Sequence, residues 1–218
     1  GYVVLRKFNS KASSETVSAI RSLKNQGATQ LILDLRGNPG GLLSEAVNVT
    51  NIFVPQNQLV VTTKSKVKKY NKTYYTQREP VDTEIPLVVL VDGKSASASE
   101  IVSGALQDMD RAVVVGTRSF GKGLVQRPKP LTYGTQMKIT ISRYYTPSGR
   151  CIQALDYWNR DENGNATRTK KENYNAFKTR NGRAVYDGGG IEPDVEVEFA
   201  KQTPITKAIV NENIIFNF

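Results

Sequence analysis

The chain has 218 residues, 39% of them hydrophobic, enough to bury one substantial core without a disulfide framework or a structural metal. It carries 30 Lys and Arg against 20 Asp and Glu, a net charge of +10, and no histidine. That last count excludes Ser/His/Asp triads, Cys/His dyads and HExxH metal sites together, while the single Cys151 excludes an intrachain disulfide, so neither metal nor other cofactor is expected.

The positive balance favours an acidic surface, an anionic polymer or an anionic membrane face as partner. The basic residues are dispersed, however, and their two concentrations, Lys64 to Lys69 and Arg168 to Arg183, read as solvated loops and not as a nucleic-acid interface. No apolar run approaches the roughly 20 residues of a membrane span, and the opening GYVVLRKF lacks the pattern of a signal peptide. Because it begins directly on strand-like sequence, the chain reads as a fragment of something longer.

Tyr2 to Phe8 is predicted as a strand, and Asn9 to Ser14 as a polar break rich in helix caps. Val17, Ile20 and Leu23 follow at helical spacing, and Gly27 closes that helix. Leu31 to Leu35, apolar except for Asp34, predicts a short strand covered on both faces. The turn Arg36-Gly-Asn-Pro-Gly-Gly41 leads into a second helix with Leu42, Leu43, Ala46, Val47 and Thr50 along one stripe.

Gln58 to Lys64 predicts a strand, and the basic, Tyr-rich stretch to Arg78 an exposed hairpin. Pro86 to Val91 is apolar throughout and runs through Asp92-Gly-Lys94 into a helix buried along Ala98, Ile101, Val102, Ala105 and Leu106. Ala112 to Val115 repeats the short buried strand. This alternation with brief connections predicts an α/β core of βαβ units. After Gly116 the chain turns β-rich, with strands expected at Leu124 to Pro128, Gln136 to Tyr145 and Asp194 to Phe199. The polar segment from about Ala154 to Asp187 holds Asn163-Gly164 and Asn181-Gly182, favoured in hairpin turns, and predicts an inserted arm or lid.

Without histidine, a serine nucleophile can still be activated by a neutral lysine. Bringing a lysine from about 10.4 to near 7 disfavours its ammonium form by roughly 4 kcal/mol, which demands a mostly apolar setting with few acids nearby. Lys122, between glycines in Gly116-Thr-Arg-Ser-Phe-Gly-Lys-Gly123, has the least surface-like setting, and Phe120 is placed to help exclude water. The candidate nucleophiles crowd Lys94-Ser-Ala-Ser-Ala-Ser-Glu100, where a strand end passes into a helix and free N–H groups face outward. Spacing does not choose among Ser95, Ser97 and Ser99. Ser97-Ala-Ser-Glu100 also satisfies the ordinary capping box, and this local pattern alone favours a cap over a nucleophile. The glycine-rich turn at Arg36 to Gly41 leaves N–H groups open to an anion but lacks any nucleotide-binding pattern.

Five segments together resemble the signatures of the carboxyl-terminal processing proteases, also called tail-specific proteases, in that family's order. They are Leu33-Asp-Leu-Arg-Gly-Asn-Pro-Gly-Gly41, Val91 to Ile101, Gly116 to Gln126, Tyr144-Tyr-Thr-Pro-Ser-Gly-Arg150 and Gly190-Ile-Glu-Pro-Asp194. The resemblance implies a crotonase-like α/β core with an added β-rich C-terminal part. It implies Ser97 as nucleophile, Lys122 as general base and Gln126 as a residue that helps hold the lysine. It further implies an oxyanion hole from the N–H of Ala98 and that of Gly40 or Gly41, with Gly41 slightly preferred. Glu100 takes a structural or orienting role. Asp108 matches an acid of some members but reads more readily as a surface helix end.

The resemblance also implies a serine endopeptidase with a Ser/Lys dyad, acting on protein or peptide substrates near exposed C-termini. It places that work in the bacterial periplasm or cell envelope, with any membrane association through segments outside this chain. A PDZ domain precedes the core in the family, and no PDZ-like segment is present here. Two other readings stay open at this stage: a catalytically silent peptide-binding module of the same fold, and a crotonase-like hydratase or isomerase.

Overall fold

A computed structural model describes residues 1–197 and 203–211. In chain order the first half runs β1 (Tyr2–Val4), α1 (Ala12–Asn25), β2 (Leu31–Asp34), α2 (Leu43–Asn51), β3 (Leu59–Lys64), β4 (Lys72–Tyr75), β5 (Leu87–Val91), α3 (Ala98–Asp108) and β6 (Val113–Gly116). The second half is β7 (Leu124–Pro130), β8 (Gln136–Tyr145), β9 (Leu155–Arg160), β10 (Ala166–Arg168), β11 (Ala176–Lys178), β12 (Ala184–Tyr186), β13 (Val195–Glu196) and α4 (Pro204–Asn211). The strand predicted over Tyr2 to Phe8 stops at Val4, and Phe8 meets Gly41 only through an isolated bridge. Of the strand expected over Asp194 to Phe199, Val195 and Glu196 pair, and Glu198 and Phe199 lie outside the described residues.

Two sheets organise the molecule. The first is parallel, in the order β1-β2-β5-β6-β13. Its inward side chains, among them Leu33, Val89 and Val114, form one core with Ile20 of α1, Ala46 and Val49 of α2, and Ile101, Val102 and Leu106 of α3. The second is antiparallel, in the order β4-β3-β8-β7, with β7 and β8 forming a long hairpin. Among the described residues no helix is long and apolar enough to cross a membrane.

Two sequence expectations are corrected here. Leu31 to Leu35 is not covered on both faces: the helices pack on one side, and on the other Ile32 is 37% and Val113 46% exposed. Successive strand side chains point to opposite faces, so an apolar run conceals two sets with different fates. Asp108 is not a surface acid. Its carboxylate sits 2.7 Å from the Arg150 guanidinium, with the side chains 1% and 0% exposed, and it also accepts the Ser148 N–H at 3.0 Å. Burial pulls the Arg150 pKa down, and the Asp108 charge beside it acts in the opposite direction.

The segment after Ala154 forms two hairpins. β9 and β10 project outward, with Trp158 90% exposed. β11 and β12 are instead fastened to the end of α3: the Arg180 N–H donates to the Asp108 carbonyl at 2.8 Å, the Asn181 N–H to Asp110 at 2.6 Å, and Arg183 pairs with both Asp110 and Asp194. Removing one member of a buried ion pair strands the other charge, so Asp108→Ala is expected to lower stability by about 3–5 kcal/mol in urea denaturation. A near-zero change, as for an exposed acid, would contradict this placement.

Candidate active site

Three neighbouring parallel strands, β2, β5 and β6, end on the same edge of the first sheet, so the loops that follow them emerge side by side. The loop after β2 is the glycine turn, the loop after β5 carries Ser97, and the loop after β6 carries Lys122. They surround a cleft of about 480 Å³, closed on its far side by β7 and β8, which brings together Gly41, Ser97, Ala98, Lys122 and Gln126.

The structure separates the three serines. Ser95 and Ser99 are fully buried, and their hydroxyls donate to the Leu35 carbonyl at 2.8 Å and the Asn38 carbonyl at 2.9 Å. Ser97 alone of the three lines the cleft. It sits at the start of α3 with φ 57° and ψ −110°, a left-handed conformation that costs a non-glycine residue on the order of 1–3 kcal/mol and marks functional turns.

The glycine pair separates as well. The Gly40 N–H donates to the Asn38 side chain at 2.9 Å, whereas the N–H groups of Gly41 and Ala98 have no acceptor among the described residues. Gly40 serves by being small: at its φ of +96°, a Cβ would lie 2.6 Å from the Ala96 carbonyl and 2.9 Å from Ser97 Cβ. The turn therefore presses against the strained serine, and the next residue, Gly41, lines the cleft.

Glu100 joins the loops. It is fully buried, and one carboxylate oxygen accepts the Ser97 N–H at 2.8 Å and the Lys122 N–H at 2.9 Å. The other accepts the Ser119 hydroxyl at 2.5 Å and the Gly121 N–H at 2.6 Å. Burial pushes the Glu100 carboxyl up from its ordinary range, and these four donors pull against that rise. On the carbonyl side the Tyr144 hydroxyl contacts Lys122 O and lies 3.3 Å from Ser97 O. The Ser97 hydroxyl and Lys122 amine make no hydrogen bond to each other among the described residues, and the Gln126 amide donates to Thr140 Oγ1 at 3.4 Å. Phe120, expected to shield the lysine, is 39% exposed and does not line the cleft.

The family model described as peptidase family S41 matches residues 1–157. The chain belongs to that family. Carboxyl-terminal processing proteases of Synechocystis and Bartonella bacilliformis are 40% and 41% identical to it, each across 71% of this chain and 36% of their own length. A chloroplastic C-terminal processing peptidase of Tetradesmus obliquus is 40% identical across 71% of this chain and 33% of its length. The chain thus spans about a third of these relatives. Among solved structures, a photosystem II D1 C-terminal processing protease matches with a TM-score of 0.68 and 32% identity, over 91% of this chain and 42% of that one.

Within this S41 chain, the sequence reading missed Asn38 and Tyr144. Asn38 is fully buried, donates to the Leu5 carbonyl at 2.6 Å, and its own carbonyl accepts the Ala96 N–H at 3.0 Å. Both lie inside the motifs already singled out, but nothing in their spacing signals a bridge between loops. Glycine tolerates the Ser97 backbone and alanine does not, so Ser97→Gly is expected to be about 1 kcal/mol more stable than Ser97→Ala by thermal or urea unfolding. Glu100→Gln turns an amide donor toward two N–H groups and is expected to cost about 1–3 kcal/mol by the same measurement.

Proposed function

We propose that this chain is the catalytic core of a serine endopeptidase that cleaves protein substrates near their C-termini, with Ser97 as nucleophile and Lys122 as general base. The observation that carries the reading is the convergence of Ser97, Lys122 and two open N–H groups, Gly41 and Ala98, on one cleft. The Ser97 oxygen attacks the scissile carbonyl while its proton passes to the Lys122 amine. The oxyanion is held by the Gly41 and Ala98 N–H groups at the positive end of α3. The protonated amine then gives its proton to the departing peptide nitrogen, leaving an ester on Ser97. Water, deprotonated by Lys122, cleaves that ester and restores the hydroxyl.

The two side chains must approach to hydrogen-bonding distance as substrate fills the cleft, and ligand-free sites commonly tighten in this way. Gln126, on the adjacent wall, is proposed to steady the amine by turning from Thr140. The repeated strand-helix units support a crotonase-like description of the core. Residues 1–218 are proposed as one catalytic unit of a longer protein working in the periplasm or cell envelope, in keeping with bacterial and chloroplastic relatives.

Lys122→Ala is expected to lower the rate on an unfolded protein substrate about 10²–10⁴-fold with an unchanged circular dichroism spectrum. A fluorophosphonate should label the wild-type chain but not Ser97→Ala. Near-normal turnover by Lys122→Ala would overturn the assignment of the base.

A further inference from the structure

The net charge of the chain is not spread over it. Residues 58–78 and 124–145, which build the antiparallel sheet, contain ten Lys and Arg and no Asp or Glu. The other 20 cations face all 20 acids, so the +10 of the whole chain resides in this sheet. None of its ten cations has a carboxylate partner among the described residues.

This sheet is also the far wall of the cleft. Arg127 and Lys138 line the cleft opposite Ser97, and among the described residues no acid does. The Arg127 guanidinium lies 5.9 Å from the Tyr70 ring, which Lys69 approaches at 5.2 Å, so the cationic surface continues from the cleft to the turn holding Lys68 and Lys69. The lining also includes the apolar Leu42, Ile101, Leu124 and Val125. β7 is an edge strand, but Pro128 and Pro130 lack N–H groups. Beyond Arg127 that edge offers no continuous backbone ladder, and recognition falls to the side chains.

We propose that the antiparallel sheet is a docking wall for an acidic stretch of the substrate polypeptide, which runs past Arg127 and Lys138 while apolar residues occupy the cleft beside Ser97. This rests on the peptidase reading of the same cleft and names the substrate class it would favour: chains with apolar residues at the cleavage point and carboxylates to one side.

The test uses the full chain carrying Ser97→Ala, so that binding is read without turnover. Fluorescent peptides share an apolar centre and differ in a flanking run of glutamates, glutamines or lysines, and fluorescence anisotropy is measured at about 20 mM and about 300 mM salt. The glutamate peptide is expected to bind about tenfold more tightly than the glutamine peptide at low salt, with the lysine peptide weakest and the differences shrinking at high salt. Adding R127Q/K138Q should bring the glutamate-to-glutamine ratio toward one, a ratio that cancels any general loss of folded protein. Equal binding of the three peptides, or a preference that survives R127Q/K138Q, would overturn the proposal. So would phosphatidylserine-containing vesicles that bind through Arg127 and Lys138 when no peptide preference exists, because the wall would then face a membrane. A charge preference in Ser97→Ala, with no cleavage of any peptide by the wild-type chain, would count against the peptidase reading and leave the docking wall standing.

Discussion

The Glu100 carboxylate, shut away from water, holds one oxygen against the N–H groups of Ser97 and Lys122 at once, and the geometry of the site depends on that shared acceptor. Burying a carboxylate costs several kcal/mol, and here the four donors offset that cost. Each donor belongs to one of the two loops being joined, so the carboxylate is satisfied only when those loops are in register. The same contact sustains the left-handed backbone of Ser97, whose strain must be held by its surroundings. The loop carrying Lys122 and the turn carrying Ser97, 25 positions apart in sequence, are thereby fastened to one another.

Much of this arrangement was legible because it rests on local chemistry. The short apolar strands separated by helices dictate a parallel sheet, and a parallel sheet places the ends of β2, β5 and β6 on one edge. The absence of histidine leaves a lysine such as Lys122 as the base of the proposed mechanism. Ser97-x-x-Glu100 is a capping pattern, and in the fold the acidic half of that pattern is the contact that also binds the loop of Lys122. Cap and site turn out to be one interaction, which no count of residue spacing reveals.

What stayed hidden depends on three-dimensional partners. Asp108 ends a helix and reads as exposed until Arg150, 42 positions later, folds over it. Ser95, Ser97 and Ser99 are indistinguishable in sequence and differ only in which hydroxyl meets a buried carbonyl. The choice between Gly40 and Gly41 turns on whether the Asn38 side chain captures an N–H. Only part of the antiparallel sheet's charge stands out in the sequence, as the basic run from Lys64 to Lys69; the other basic run, Arg168 to Arg183, lies outside that sheet. The sheet's charge becomes a single surface only when β3 is paired with β8 and β8 with β7, bringing two acid-free segments together.

The molecule therefore divides into a larger, electrically neutral part that carries Ser97 and Lys122 and a smaller cationic sheet that faces them across the cleft. Tyr144 is where the two parts meet. It lies near the end of β8, only 1% exposed, its N–H donating to the Gly123 carbonyl at 3.0 Å and its hydroxyl reaching the carbonyls of Lys122 and Ser97. Burial drives its phenol well above the ordinary tyrosine range, so it stays a neutral hydroxyl able to donate there. Glu100 clasps the two loops through their N–H groups from the helix side, and Tyr144 clasps them through their carbonyls from the sheet side. A displacement of the cationic sheet would thus move Tyr144 against both Ser97 and Lys122, which couples the width of the cleft to the placement of those two residues.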